Sequence, residues 1–252
     1  MSMMPDVETA PRVRPREIEE IARGFTLPLV LGPLRGSWWQ PASGGKIARV
    51  LLGTYEPEQT KIFQEHIRPG QTVLDIGAAA GYYTLVSAAL VGKSGRVFAF
   101  EPDPTNLKYL RAHVQQNRLS QVTVLPLAIA DRPGVARFGG GSGTGTGRLC
   151  DEGTHEVPLA RLDDLLEEVR FTPHHLKIDV EGAELAVLQG GEQMIRQHRP
   201  TIFLSTHEWI TPYIHQSCCQ LLASWGYRLE PIHGADVATA TELLCIPNTH
   251  HV

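Results

Sequence analysis

The stretch from Thr72 to Pro104 constrains the fold of this chain more than any other part of it. It opens with a short apolar run, Val73, Leu74 and Ile76, interrupted by Asp75. Gly77-Ala78-Ala79-Ala80-Gly81 follows, then a helical stretch, then a second apolar run from Val97 to Phe100 that ends in Glu101. Strand, glycine loop, helix and strand in that order make one half of a doubly wound nucleotide-binding sheet. The expected class is therefore α/β, with a Rossmann-like, mostly parallel sheet.

The spacing within this unit selects among nucleotides. Glycine lets the loop backbone approach a ligand closely. Glu101 lies 20 residues after Gly81, close to the separation of about 20 expected for an acid that accepts hydrogen bonds from ribose hydroxyls. A dinucleotide fold wants G-x-G-x-x-G, with a pyrophosphate held at the helix N-terminus. Here the pattern is D-x-G-x-x-x-G with no third glycine. The carboxylate of Asp75, two residues before Gly77, suits a ligand bearing an ammonium or sulfonium charge. S-adenosylmethionine has both cations and a ribose, and it is the expected cofactor ahead of NAD.

Composition excludes several other classes. The chain has 252 residues, enough for one large α/β domain, with 42% hydrophobic and 20% charged residues. Its net charge is −4, and it has no dense Lys/Arg run, which argues against DNA as a partner. No 18-residue apolar run or signal peptide is visible, so a soluble, cytoplasmic protein without a membrane partner is expected. The four cysteines, Cys150, Cys218, Cys219 and Cys245, show no metal-ligand spacing. Cys218 falls on the apolar face of a helix, where a small buried hydrophobe is expected.

The chain divides into a disordered tail over residues 1–13, an N-terminal extension or lid over 14–50, and the main domain over 51–252. A short helix is expected over Arg14–Arg23. The Gly- and Pro-rich segment Leu27–Lys46 contains Trp38-Trp39, which either pack or fold over the cofactor mouth. Pro57 suits a first helical position, and Glu56 before it either favours the helix dipole or reaches the ammonium group of the cofactor. After Glu101, Asp103 reads as a helix cap with Pro104 at the first position. A third strand is expected over Val122–Leu127, running on through Ala128, which would flank an adenine ring. A strand-like Val135–Phe138 leads into the glycine run Gly139–Gly147, which lacks the lysine of a phosphate loop and reads as a flexible connection.

The candidates for chemistry gather at the ends of two later strands. In the strand Leu176–Val180, Lys177 and Asp179 share a face, and a lysine in a sheet core calls for a nearby carboxylate. Asp179 and Glu181 fall at the carboxyl end of that strand, where open α/β sheets bind ligands. Glu184 enters the next helix in its first turn, as a dipole partner. His207 follows the strand Thr201–Ser205 at the same edge, whereas His174 and His175 belong to the opposite end. His207, Asp179 and Glu181 are thus the candidates for general-base catalysis. The same groups, with His207 or Glu208 completing the set, are alternatively arranged for Mg2+. An amphipathic helix around Ile214–Trp225 and two final strands, Tyr227–Leu229 and Leu243–Ile246, complete the chain.

With these residues assembled, the chain resembles the FkbM-type family of class I S-adenosylmethionine-dependent methyltransferases over roughly Gly36 to Pro247. The resemblance rests on LKIDVEGAELAVLQG, Leu176 to Gly190, supported by VLDIGAAAGYYT, VFAFEPDP, GTYE, PLAIADRPG and RLDDLL. Ala79 departs from it, standing where the family commonly has Asn. The resemblance implies a seven-stranded sheet whose sixth and seventh strands form a reversed hairpin. It also implies cofactor contacts from Asp75, Gly77, Gly81 and Glu101, and from Thr84 and Asn106 near the ribose and loop; Ala78, Glu56, Ala128 and Asp179 are further cofactor candidates by their places in the chain. Methyl transfer to a hydroxyl of a small-molecule acceptor, such as a sugar, glycan or polyketide, is the implied activity. An N-methyltransferase and a catalytically silent nucleoside-binding protein share the same features, and a homodimer is compatible with them.

Overall fold

The computed structural model describes residues 25–41, 47–140, 147–169, 172–234 and 236–248. The expected tail, the Arg14–Arg23 helix and residues 141–146 of the glycine run lie outside these residues.

A two-strand ribbon, β1 (Leu27–Pro28) and β2 (Trp38–Trp39), precedes the main domain. Helix α1 (Ile47–Leu51) leads to α2 (Pro57–His66), which starts with Pro57 at its first position. The segment Arg68-Pro69-Gly70 separates α2 from the first strand of the main sheet, since proline disfavours helical dihedrals in the residue before it. That strand, β3 (Thr72–Ile76), is buried along its whole length, as expected for a parallel strand covered on both faces. Helix α3 (Tyr82–Val91), β4 (Arg96–Phe100), α4 (Pro104–Gln116) and β5 (Val122–Leu125) follow. Asp103 caps α4 as its sequence suggests, its Oδ1 accepting from the amides of Thr105 and Asn106.

The expected third strand is shorter than its apolar run. Pro126 has no amide to give to the sheet, and a turn from the Leu127 amide to the Leu125 carbonyl diverts the chain. Ala128 and Ile129 therefore form β6 in a separate small sheet with β7 (Gly134–Gly139), β8 (Arg148–Leu149) and β9 (His155–Ala160), ordered β6-β9-β7-β8. Helix α5 (Leu162–Val169) returns the chain to the main sheet at β10 (His175–Ile178). Helices α6 (Glu184–Gly190) and α7 (Glu192–His198), strand β11 (Thr201–Ser205), helix α8 (Ile214–Ser224) and strands β12 (Tyr227–Pro231) and β13 (Glu242–Pro247) complete it.

The main sheet has seven strands in the order β12-β13-β11-β10-β3-β4-β5. β5, β4, β3, β10 and β11 are parallel neighbours, β13 is antiparallel to both β11 and β12, and the last two strands pair as the expected antiparallel hairpin. The fold is thus the class I methyltransferase, Rossmann-like arrangement. Strand alternation divides the core. Leu74, Ile76, Leu176, Ile178, Ile202 and Leu204 pack toward α6, α7 and α8, while Val73, Val97 and Phe203 pack toward α2 and α3. Cys218 is fully buried in the first cluster.

The N-terminal ribbon is held against α4 rather than standing free. Trp39 stacks on His113 with ring centroids 3.9 Å apart. His113 Nε2 accepts from the Gln40 amide at 2.9 Å, so its Nδ1 carries the proton and donates to the Ala80 carbonyl at 2.7 Å. Asn117, which follows the last residue of α4, pairs its side-chain amide with both backbone groups of Trp38.

Burial makes His113 and His175 acid-sensitive. It lowers each to about 4, against an ordinary histidine value near 6.5. An unfolded chain binds these protons from about pH 6.5 downward and the folded chain only near 4. Their contribution to stability is therefore present above pH 6.5 and lost as pH falls toward 4. The expected loss is on the order of 2–3 kcal/mol per histidine, measured as a falling urea midpoint at pH 7, 5.5 and 4.5. A flat profile would contradict their burial in the neutral form.

Candidate active site

The carboxyl ends of β3, β4 and β10 open into a cleft with about 610 Å³ of space, partly continuous with solvent. This is where ligands bind in open α/β sheets. Gly77 shapes its floor. With φ +80°, it lies so close to β10 that a Cβ there would fall 1.8 Å from the Asp179 carbonyl oxygen, so no other residue fits.

One end of the cleft suits a nucleoside. Glu101, buried at the end of β4, lines it together with Asn106. Glu101 Oε2 accepts from the Ala79 amide at 2.7 Å and Oε1 from the Asp103 amide at 2.8 Å. Burial nonetheless pushes its carboxyl up to about 7. Ala79 takes φ 48° to make its bond, a left-handed conformation that costs an alanine about 1–2 kcal/mol and that Asn tolerates better. The departure from Asn at this position is therefore at least a matter of backbone strain. Farther along, Leu127 and Ala128 line the cleft together with Phe138 and Leu149 of the small sheet, and Ala128 and Phe138 share one buried cluster with Leu149 packed against it, an apolar lining suited to a flat base. Phe138 and Leu149 were not legible as site residues, because only the folding of the small sheet carries them there.

Several expected cofactor residues stand behind the cleft. Asp75 is wholly buried; its Oδ2 accepts from Thr84 Oγ1 at 2.5 Å, and its Oδ1 lies 3.5 Å from Lys177 Nζ. Thr84 is equally buried. Neither lines the cleft, and nor do Ala78, Gly81 or Glu56, whereas Gly77, Glu101, Asn106, Ala128, Asp179 and Glu181 do. The buried pair explains the acid in D-x-G differently from the sequence reading: Asp75 compensates a lysine. Lys177 Nζ also donates to the Gly77 carbonyl at 3.0 Å and lies 3.4 Å from Asp179 Oδ2. Burial alone would lower its pKa, but the charges of Asp179 and Asp75 outweigh that and raise it. The carboxylate demanded by a lysine in the sheet core is thus present twice.

Glu56 precedes α2 in a left-handed conformation and makes no side-chain cap bond to the helix. Instead its Oε2 accepts from the Tyr83 hydroxyl at 2.8 Å, and its charge acts on Lys177.

The chemistry gathers where β10 and β11 end. His207 lies two residues beyond β11, with Nδ1 2.7 Å from Oε1 of Glu184. Glu184 is fully buried, and the same oxygen accepts from the Gly182 amide at 3.0 Å. A carboxylate on Nδ1 places the neutral ring's proton there and leaves Nε2 as the acceptor. Nε2 faces Asp179 Oδ1 at 3.5 Å and Glu181 Oε1 at 3.6 Å. Burial would lower the pKa of His207, but the Glu184 hydrogen bond and the charges of Asp179 and Glu181 outweigh it and raise it. Glu181 is held at φ 52°, a strained conformation of the kind that clusters at functional sites. Ligand atoms of Asp179, Glu181 and His207 lie within 4.8 Å of one another; the exposed Glu208 is outside this group. Glu184, expected only as a helix-dipole partner, is the residue that the structure adds to this group. Its only local signal was an acid in the first turn of a helix, a position with an ordinary dipole explanation.

No helix among the described residues is long and apolar enough to cross a membrane. Residues 75–229 match the methyltransferase FkbM domain. The hexuronic acid methyltransferase AglP of Haloferax volcanii is 27% identical over 140 residues, which is 54% of this chain and 56% of that protein. Protein-L-isoaspartate O-methyltransferase 1 of Arabidopsis thaliana is 28% identical over 109 residues, 42% of this chain and 46% of that protein. This chain thus spans about half the length of these curated relatives. The crystal structure of methyltransferase FkbM from Methylobacillus flagellatus KT superposes with a TM-score of 0.52 at 20% identity, covering 82% of this chain and 54% of that one. The match extends from the buried Asp75, through the glycine loop, Glu101, Asp179 and His207, to the first residues of β12, and the chain belongs to the methyltransferase FkbM domain family, with the class I S-adenosylmethionine-dependent methyltransferase fold.

Proposed function

We propose that this chain is an S-adenosylmethionine-dependent O-methyltransferase acting on a hydroxyl of a small-molecule acceptor, a sugar foremost. One observation carries the reading: a histidine oriented by a buried glutamate, with its second nitrogen turned toward two carboxylates, beside a cleft that fits a nucleoside. A relative that acts on a hexuronic acid supports the sugar.

The residues fit the cofactor. Asn106 Oδ1 is buried at the cleft without a hydrogen-bond partner among the described residues, and it supplies an acceptor beside Glu101 for a vicinal diol. Leu127, Ala128, Phe138 and Leu149 would hold the adenine, and Gly77 and Asp179 would border the methionine end. Bound there, S-adenosylmethionine supplies a methyl group already activated by its sulfonium. What remains for the protein is orientation and proton removal. His207 Nε2 takes the proton of the acceptor hydroxyl, Glu184 holds the ring and stabilises the imidazolium, and Asp179 and Glu181 accept from neighbouring hydroxyls. A dedicated base favours a hydroxyl over an amine, because a neutral amine is already nucleophilic without deprotonation.

The spacing of Asp179, Glu181 and His207 also admits a divalent cation. The acid–base reading is preferred because Lys177 already places a cation 3.4 Å from Asp179 Oδ2, and activity is expected to be indifferent to EDTA.

The test is calorimetric titration with S-adenosylmethionine, S-adenosylhomocysteine and NAD. The adenosyl compounds are expected to bind and NAD not to. Glu101→Ala should weaken them by about 10- to 100-fold, the range for loss of charge-assisted hydrogen bonds. Binding of NAD alone would overturn the proposal.

A further inference from the structure

We propose that Trp209 is the acceptor platform and that it stacks on the C–H face of an uncharged pyranose; this rests on the methyl-transfer reading above and names its substrate class.

Trp209 and Tyr213 are the two most exposed large hydrophobic residues among those described, at 73% and 71%. Both belong to the short segment that runs from His207 to α8. A single exposed apolar side chain needs no explanation, but the placement of this one does. The indole ring stands edge-to-face with the imidazole of His207, 6.4 Å between centroids and 74° between planes. It therefore borders the imidazole that the proposed mechanism uses as its base.

The indole is carried on a fixed turn. The amides of Ile210 and Thr211 both donate to the His207 carbonyl, at 2.9 and 3.0 Å. Thr211 Oγ1 donates to the Gly182 carbonyl at 3.0 Å, which ties the turn to the strained Glu181. Gly182, at φ +98°, lets the two segments meet, since a Cβ there would fall 2.6 Å from Thr211 Oγ1 and 2.9 Å from Ile210 Cγ2. An exposed aromatic ring carried beside a base on a turn whose backbone is already tied down is a partly preorganised binding surface, so less entropy is lost when a ligand settles on it. A pyranose matches it chemically. One face of the sugar presents C–H bonds polarised by the neighbouring oxygens, which meet the negative face of the indole. Its edge presents hydroxyls, which would meet Asp179 and Glu181.

Charge decides between sugar classes. Glu56, Asp179, Glu181, Glu184 and Glu242 surround Lys177 and His207, with His233 Nε2 paired to Glu242 at 2.8 Å. Burial, together with the charges of Glu56 and Asp179, raises the Glu242 carboxyl, a sign that these acids repel one another. A sugar carboxylate brought among them would be repelled in turn. The acceptor is therefore a neutral sugar, although a relative of this chain acts on a hexuronic acid.

The experiment is saturation-transfer NMR on the protein loaded with S-adenosylhomocysteine, titrated with methyl α-D-glucopyranoside, methyl α-D-mannopyranoside and the methyl glycoside of D-glucuronate. At least one neutral glycoside is expected to bind, the glucuronate at least tenfold more weakly. Trp209→Ala should weaken the neutral glycoside at least tenfold and Trp209→Phe only a few-fold, with S-adenosylhomocysteine affinity unchanged in both. Equal binding by Trp209→Ala would overturn the platform, and equal or tighter binding of the glucuronate would overturn the charge selection. Loss of every glycoside while the adenosyl compound still binds would overturn the sugar class alone, whereas failure of the adenosyl compound to bind would overturn the cofactor reading itself. A dimer in sedimentation that Trp209→Ala dissociates would make the indole an interface and overturn the proposal.

Discussion

Replacing His207 with alanine is expected to lower kcat by about 10²- to 10⁴-fold, the range for loss of a positioned general base, while S-adenosylmethionine binds within a few-fold of its original affinity. The separation follows from geometry: His207 Nε2 faces Asp179 and Glu181, and His207 does not line the nucleoside end of the cleft. The pH profile gives an independent check. The base must be neutral, and its pKa is raised above 6.5 by the Glu184 hydrogen bond and the surrounding carboxylates, which outweigh burial. Turnover should therefore be low in acid and rise only as pH passes above the ordinary histidine range. Glu184→Gln keeps an acceptor for Nδ1 but removes a charge, so the limb should move to lower pH and kcat should fall. A His207→Ala protein with undiminished turnover would remove this residue from the mechanism, and a limb unmoved in Glu184→Gln would remove Glu184 from its positioning role.

Lys177→Met is expected to destabilise the fold strongly. It strands Asp75, which is 0% exposed, without the ammonium that lies 3.5 Å from its Oδ1. It also removes the donor to the Gly77 carbonyl. Breaking a buried pair by deleting one member costs about 3–5 kcal/mol, a large share of the roughly 5–15 kcal/mol that holds a domain folded. Neutralising the stranded acid should recover much of the loss, so Lys177→Met/Asp75→Asn is expected to unfold at a higher urea concentration than Lys177→Met. If the double variant is no more stable than the single, Asp75 is not the cost and the Gly77 contact is. Cofactor affinity should fall in both, because the Gly77 loop loses its anchor.

Much of the nucleoside end of the proposed site is legible because it is built from local pattern. Strand, glycine loop and strand are contiguous in the chain, and parallel strand ends deliver their next residues to a common edge. Glu101, Gly77 and Asn106 are found at the cleft for that reason. Asp75 lies in the expected strand, and the structure adds a neighbour that local pattern does not name. Its partner is a lysine about a hundred residues away, opposite it in the β3–β10 register. The small sheet was mostly illegible. Pro126 ends an apolar run that reads as continuous strand, and Pro158 interrupts the pattern of β9. That proline is tolerated because β6 pairs only with Leu159 and Ala160, so at Pro158 the strand has an open side.

The sequence by itself determined the parallel sheet, its glycine loop, the acid that ends β4 and the sheet edge at which the cleft opens, since each depends on alternation, spacing or a residue's own conformational range. Only the tertiary structure decided that Asp75 serves Lys177, that Phe138 and Leu149 close the cleft, and that Glu184 orients His207 from 23 residues away. These pairings arise from strand register and from the docking of helices on the sheet. Both are settled by long-range packing, which local propensity does not encode.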